Sequence, residues 1–414
     1  MSVEAMEVAD PVGSPADDDP ASRPVVTLLP AGHRRAEAGH PWVYSNEVRM
    51  DAAAKALPPG GLVTLRRADE RPFGVAMFNP HTLLAARMLD RDAARQIGKR
   101  FLSRRIERAL RVRERLYPTP FYRLVHAEAD GLPGLVVDRF GDVLAVQANA
   151  AGMDRLLPPL IEALTALLKP RAIVLRNDSP ARGLEGLPGE VRVALGTIDG
   201  PVPVEENGAT FLADVLAGQK TGWFFDQRDN RAFVARLAPG LRVLDLYCYS
   251  GGFAVQAARA GAASVTGLDR SEGALALAVA AASRNGVGDT CDFRRAEVFA
   301  ETAALAKAGE RFDLVIADPP AFAPTRRDVP AALRGYRKLA RLAAQVTAPG
   351  GFVFLASCSY NAGAAEFTEA VRRGLADAGR AGRILREAGA GPDHPVHPAL
   401  PESAYLKSIT LALD

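Results

Sequence analysis

The sequence predicts an α/β chain whose C-terminal part, residues 196–414, folds as a doubly wound sheet behind a small β-rich unit and a central α+β unit. Two patterns and the length carry this expectation. From Leu241 onward, short apolar runs at 242–246, 264–268, 314–317 and 352–356 alternate with helical stretches, as parallel strands covered on both faces require. Earlier in the chain the apolar runs are broken by turn residues, which predicts β-rich structure. At 414 residues the chain exceeds one ordinary domain, so two or three cores are expected.

Residues 1–23 are expected to form a disordered acidic tail. Its stretch up to Pro20 holds six acids (Glu4, Glu7, Asp10, Asp17, Asp18, Asp19) and no Lys or Arg, so the formal +3 of the chain becomes +9 for the remainder. The tail lacks the basic start and apolar centre of a secretory signal. Residues 24–95 form the β-rich unit, with strands at Val63-Thr64-Leu65 and Phe73-Gly74-Val75-Ala76-Met77 and a Gly39-His40-Pro41-Trp42 segment. The span 91–115 is helical and rich in Arg, with a partial apolar stripe of Ile106, Ala109, Leu110 and Val112. Within the central unit, 96–195, Leu135-Val136-Val137-Asp138 and Val143-Leu144-Ala145-Val146-Gln147 flank a turn and predict a hairpin, followed by a helix over 153–168 and a strand over 172–176.

Hydrophobic residues at 48% and charged residues at 24% fit a soluble globular protein, and no apolar run approaches the roughly 18 residues of a bilayer span, so no membrane role is expected. Cys248, Cys291 and Cys358 share no CxxC or His-paired spacing. That argues for a reducing compartment, the cytoplasm, and against a metal site. The basic body permits nucleic-acid binding and is equally compatible with an ordinary solvated surface.

Three motifs carry chemistry. Val243-Leu244-Asp245-Leu246-Tyr247-Cys248-Tyr249-Ser250-Gly251-Gly252-Phe253 reads as a strand, a Gly-bearing turn and a helix start, which brings backbone N–H groups close to a ligand. Asp269 ends the next strand, where a carboxylate can accept both hydroxyls of a ribose. Phe312-Asp313-Leu314-Val315-Ile316-Ala317-Asp318-Pro319-Pro320-Ala321-Phe322 is a buried strand ending in an acid and two prolines, whose rigid exit holds Asp318 at the C-terminal edge of the sheet.

In this order the motifs resemble a class I S-adenosylmethionine (SAM)-dependent methyltransferase. Further blocks are similar to the bacterial large-subunit ribosomal RNA cytosine-5 methyltransferases that begin with a PUA domain. These are Gly218-Gln219-Lys220-Thr221-Gly222-Trp223-Phe224-Phe225-Asp226-Gln227-Arg228-Asp229-Asn230-Arg231, Arg334-Gly335-Tyr336, Ser357-Cys358-Ser359, Asp393-His394-Pro395 and Pro401-Glu402-Ser403-Ala404-Tyr405-Leu406-Lys407. The resemblance implies a PUA-like, RNA-binding β-barrel first and a Rossmann-like methyltransferase domain last. It implies SAM as cofactor, 23S ribosomal RNA as partner, and leaves a homodimer open.

For the cofactor, the resemblance and the motifs together single out Asp226, Gln227, Arg228, Asp245, Tyr247, Ser250, Gly251, Gly252, Phe253, Asp269, Arg270, Ser271, Glu297, Val298, Asp318 and Pro319. Glu297 stands where the family commonly has Asp for the adenine amino group, and Asn285-Gly286 is expected to cap a helix. For catalysis it singles out Asp318, to hold and polarise the base, and Cys358. Carbon 5 of cytosine is too weak a nucleophile until a thiolate adds to carbon 6, and Cys358, emerging after a strand, can supply that thiolate or simply pack the sheet edge. Related enzymes carry a second cysteine where this chain has Ala321, so another base must release the proton. Cys248 and Cys291 are expected to pack. Phe224 and Phe225 are expected in the core, while Asp226, Gln227, Arg228 and Arg231 face the cofactor or RNA, or form ion pairs. Trp42 and Tyr44 either stack on RNA or fill the barrel, and the Arg-rich helix from Lys99 to Arg115 is a candidate phosphate-contacting surface. A methyltransferase acting on an exocyclic amine or a guanine, and a non-catalytic RNA-binding assembly protein, remain alternatives.

Overall fold

The computed structural model describes residues 18–414, so residues 1–17 of the expected tail lie outside the described residues. Its last residues are anchored. The buried Arg23 guanidinium pairs with the Asp18 carboxylate (2.7 Å from Nε), which also accepts the backbone N–H of Ile97 at 2.6 Å. The described chain divides into two compact units. One runs to Val112 and adds Leu124–Val137 and Val146–Gly196; the other holds Arg113–Arg123, Asp138–Ala145 and Thr197–Asp414.

The first unit opens with strands β1 (Val25–Thr27), β2 (Trp42–Val43), β3 (Gly61–Arg66), β4 (Pro72–Phe78) and β5 (Ala86–Asp90), in the order β1-β3-β4-β5-β2. The free side of β1 meets the segment after β2 through a Leu28–Val48 bridge, with Leu29 N–H donating to the Glu47 carbonyl at 2.8 Å. This curls the sheet around Val26, Val43, Val63, Leu65 and Phe78. The Trp42 indole N–H donates to Glu128 at 2.8 Å, and the Arg35 guanidinium lies 4.5 Å above the Tyr44 ring. Both aromatics therefore already have intramolecular partners.

After the helix Lys99–Leu116 come β6 (Phe121–His126), β7 (Leu135–Phe140), β8 (Val143–Ala148), β9 (Ala172–Asn177) and β10 (Glu190–Leu195), in the order β10-β9-β8-β7-β6. The single helix expected over 153–168 is two, Ala151–Arg155 and Leu157–Leu168. Pro158 and Pro159 have no N–H to continue the first helix but suit the opening turn of a second.

In the second unit a hairpin, β11 (Val202–Glu206) and β12 (Ala209–Ala213), precedes β13 (Arg242–Leu246), β14 (Ser264–Asp269), β15 (Cys291–Arg295), β16 (Phe312–Ala317), β17 (Thr347–Ser357), β18 (Gly382–Ala388) and β19 (Lys407–Leu413). The last seven form one sheet in the order β15-β14-β13-β16-β17-β19-β18. Strands β13 to β17 are parallel, as the alternating pattern predicts, but β19 runs antiparallel to β17 and β18, which makes the sheet mixed.

Alternate residues explain the double winding. Leu244, Leu246, Val315, Ala317, Val353 and Leu355 pack with residues of the helices Val329–Val346 and Ala364–Asp377, whereas Val243, Leu314, Ile316 and Phe354 pack with the helix Gly252–Arg259. The strand order reverses between β13 and β16, which leaves a crevice at their C-terminal ends. Asn285 caps the helix Glu272–Arg284 as expected, and its side chain also bonds both backbone groups of Thr210 on β12, at 2.6 and 3.1 Å.

Glu206, at the end of β11, is a buried carboxylate. It accepts from Arg231 Nη1 at 2.6 Å, Gln256 Nε2 at 3.0 Å and Trp223 Nε1 at 3.0 Å. Removing one side of a buried charge pair strands the other charge without water, at a cost of about 3–5 kcal/mol. Glu206→Ala is therefore expected to lower unfolding stability by about that amount, measured by urea titration against the wild type.

Candidate active site

The turn after β13 is built on left-handed backbone. Tyr247 (φ 64°), Tyr249 (φ 48°) and Gly251 (φ 80°) all adopt it, and only the glycine does so without steric cost. A side chain at Gly252 would lie 2.6 Å from Arg231 Nε, so any residue but glycine would force the Arg231 guanidinium to move. Beneath the turn, Asp245 accepts from the Ala254 N–H at 3.0 Å. Burial pushes its carboxyl well above the usual range, with Asp318 and Asp269 adding to the rise.

Asp269 closes β14. Its two oxygens accept from the Tyr249 and Ser271 N–H groups, both at 2.9 Å, which leaves each oxygen a further lone pair. Glu297 caps the helix Val298–Ala308 by accepting from Ala300 N–H at 2.8 Å, and Ser271 caps the helix Glu272–Arg284 in the same way.

These elements enclose a cavity of about 420 Å³ at the crevice. Of the residues singled out from the sequence, Asp226, Gln227, Tyr247, Ser250, Gly252, Phe253, Asp269, Arg270, Glu297, Val298, Asp318, Pro319 and Cys358 line it. Arg228, Asp245, Gly251 and Ser271 do not. Arg228 is buried, donates to the Phe121 carbonyl and stacks 4.0 Å above Tyr117. Asp245 and Ser271 serve helix starts, and Gly251 is pressed against Ala278. Sequence reasoning did not assign the lining residues Gln219, Lys220, Trp223, Tyr249, Phe322 and Leu406, and it placed Phe224 in the core. Gln219, Lys220, Trp223, Phe224 and Leu406 belong to the Gly218–Arg231 and Pro401–Lys407 blocks, whereas Tyr249 and Phe322 stand inside the Val243–Phe253 and Phe312–Phe322 motifs. Cys248 also lines the cavity, but it is a buried thiol that burial pushes well above its ordinary value.

Two carboxylates with opposite behaviour share this wall. Burial raises Asp226, but Lys220, His394, Tyr405 and Arg123 outweigh it and hold the group below the usual carboxylate range. Tyr405 donates to its Oδ2, and Lys220 Nζ lies 4.0 Å away. Asp318 is pushed up to about 7 by burial and by Asp226, against the pull of Arg231, Lys220 and a Gln227 hydrogen bond. Burial pushes the Cys358 thiol up, Lys220 draws it back, and Asp318 and Asp226 add to the rise. Its sulfur lies 4.0 Å from the Pro319 carbonyl, so Cys358 and Asp318 meet at one sheet edge.

On the cavity wall, Asp226 Oδ1 and Ser250 Oγ are buried with no hydrogen-bond partner. Such acceptors fit a ligand that carries several N–H and O–H donors, as the ammonium, ribose and adenine of SAM do. Among the described residues, no group of three metal-ligating side chains occurs, and no helix is long and apolar enough to cross a membrane.

The sequence profile of the S-adenosylmethionine-dependent methyltransferase family matches residues 165–380, and that of a PUA-like domain matches residues 26–91. The ribosomal RNA large subunit methyltransferase I of Shewanella denitrificans is 35% identical over 389 residues, covering 93% of this chain and 98% of that protein. The protein of the same name from Pseudoalteromonas atlantica is 34% identical over 388 residues, with the same coverage. Among solved structures, a SAM-dependent methyltransferase from Streptococcus mutans has a TM-score of 0.79 at 18% identity, covering 94% of this chain and all of that one. A methyltransferase complexed with SAH has a TM-score of 0.79 at 19% identity, covering 94% of this chain and 99% of that one. These two share the fold.

The Asp318 carboxyl is favoured in its protonated form when the chain is folded, so it withdraws stability as pH rises from its ordinary value of 3.8 to about 7. Asp318→Asn removes that penalty. Its melting temperature relative to wild type is expected to rise between pH 5 and pH 8, and a pH-independent difference counts against a raised Asp318.

Proposed function

This chain belongs to the family of S-adenosylmethionine-dependent methyltransferases that includes ribosomal RNA large subunit methyltransferase I, and on that premise we propose that it methylates carbon 5 of a cytosine in large-subunit, 23S ribosomal RNA. The observation that supports this reading is the meeting of Cys358 and Asp318 on the wall of one cavity. A PUA-like domain in the same chain suits an RNA substrate.

SAM supplies an electrophilic methyl group. On this reading Asp269 holds the ribose hydroxyls, Glu297 faces the adenine amino group, and Asp226 with Ser250 receives the ammonium end. Asp318, protonated near neutral pH, donates to N3 of the cytosine and draws electron density from carbon 6. The Cys358 sulfur adds to carbon 6, and the electron pair of the C5–C6 double bond becomes available at carbon 5. After carbon 5 takes the methyl group, its proton passes to a base, the C5–H electron pair restores the double bond, and the thiolate leaves. Burial keeps the resting thiol protonated, and Lys220 is the cavity cation placed to favour the thiolate.

The test is transfer of radiolabelled methyl from SAM to undermodified large-subunit ribosomal RNA, with the labelled nucleoside identified after digestion. Wild type is expected to label 5-methylcytosine, and Cys358→Ala to lose at least about a thousandfold in rate while still binding SAM. Label in another nucleoside, or full transfer without the thiol, replaces this reading with methylation of an exocyclic amine or a guanine. Failure of the wild type to bind SAM points instead to a non-catalytic RNA-binding assembly protein.

A further inference from the structure

Two blocks singled out in the sequence, Arg334-Gly335-Tyr336 and Ser357-Cys358-Ser359, have no part in the mechanism above beyond the thiol itself. In the structure they are one assembly. Tyr336, on the helix Val329–Val346, is buried, and its hydroxyl accepts from Ser357 Oγ at 2.8 Å and bonds Ser359 Oγ at 2.7 Å. The two serines are fully buried and flank Cys358 on both sides. Ser359 Oγ also accepts the Ala323 N–H at 3.1 Å, so the same hydroxyl network reaches the loop that begins at Asp318.

The ring of Tyr336 reaches that loop as well. It lies against Phe322 with centroids 4.8 Å apart at 30°. A side chain at Gly335 would lie 3.0 Å from the Phe322 ring, a tight contact that the glycine avoids. From the opposite side Lys407 Nζ donates to the Ser359 carbonyl at 2.6 Å and to the Ala362 carbonyl. Asn361 Nδ2 donates to the carbonyls of Ala323 and Pro324, at 3.2 and 3.1 Å.

We propose that Tyr336 is a positioning residue whose hydroxyl fixes the distance and direction of the Cys358 sulfur relative to Asp318. The two loops leave different strands, β16 and β17, and strand pairing ends at Ala317 and Leu355, short of both reacting residues. Beyond that point no β16–β17 pairing sets their spacing. Ser357 is still held by β19 through Lys407 and the Asp318 N–H lies 3.4 Å from the Leu246 carbonyl, and the contacts between the two loops are made by side chains. A Phe would fill the same volume, so core packing alone gives no reason for a buried hydroxyl bonded to two serines around the thiol. The inference rests on the thiol reading for its effect on catalysis, but its geometric content stands on the hydrogen bonds alone.

Tyr336→Phe keeps the ring and removes the hydroxyl. Its SAM dissociation constant is expected within about twofold of wild type, while kcat for methyl transfer falls roughly ten- to a hundredfold, the scale of a small misplacement of reacting groups. Alkylation of Cys358 by iodoacetamide, followed on its own peptide, is expected to change at least about threefold as the loop loosens. Unchanged Cys358 reactivity overturns the proposal whether or not the thiol is the nucleophile. A wild-type kcat in Tyr336→Phe overturns it too. Full transfer by Cys358→Ala overturns the thiol reading and leaves the alkylation result to decide the geometry. Should Tyr336→Phe fail to fold, Ser359→Ala cuts the same network from the other side and carries the same expected outcomes.

Discussion

The cavity depends on one buried carboxylate that takes no part in it. Glu206 is on the hairpin β11–β12, outside the main sheet, and its donors come from the segment before the helix Arg228–Ala235, from that helix, and from the helix Gly252–Arg259. Because an unpaired charge in such a place is prohibitive, the three elements are held in one register. Arg231 transmits that register. One end of its guanidinium bonds Glu206, another donates to the Phe224 carbonyl at 2.9 Å, and its flank fills the space that a side chain at Gly252 would need. The cofactor turn and the segment facing it thus share a side chain.

Around this frame four carboxylates, Asp226, Asp245, Asp269 and Asp318, converge on one sheet edge, and each is accommodated differently. Asp269 takes two backbone N–H groups, Asp226 is compensated by a lysine and a tyrosine hydroxyl, and Asp245 accepts from a helix start. Burial also pushes Asp245 well above the usual carboxylate range, and Asp318, which Arg231, Lys220 and Gln227 only partly offset, is pushed up to about 7. Burial and the crowding of like charges force such a division, because ionising all four would cost more than leaving Asp245 and Asp318 protonated. Neighbouring groups of one chemical type thereby come to offer both donors and acceptors.

Much of this was legible in the sequence. The strand at Val243–Leu246, the acid at Asp269 and the Asp318-Pro319-Pro320 exit follow from local patterns, because buried parallel strands need continuous apolar runs and open sheets bind ligands at their C-terminal edge. What stayed hidden was non-local. Asp245 and Ser271 have the residue type and position of ligand contacts, and in the fold Asp245 Oδ2 and Ser271 Oγ accept from the N–H groups of helix starts, a direction set by tertiary packing. Lys220 and Leu406 reach the cavity from segments far apart in the chain, and no periodicity announces that. The antiparallel placement of β19 and the break at Leu156 were missed for different reasons: the first depends on long-range pairing, whereas the second was signalled by two prolines inside an apolar run.

The position of β19 has a consequence for the order in which the molecule can be completed. It is later in the chain than β18 but lies between β17 and β18, so β18 has no place in the sheet until β19 has inserted. Tyr405 and Leu406 immediately before it, and Lys407 at its start, touch Asp226, the cavity and the Cys358 loop respectively. A chain emerging from its N-terminal end can therefore form β13 to β17 early, while the wall around its reactive sulfur waits for residues made some fifty positions after Cys358. Until that strand arrives, the partly built domain has a fold but no finished pocket.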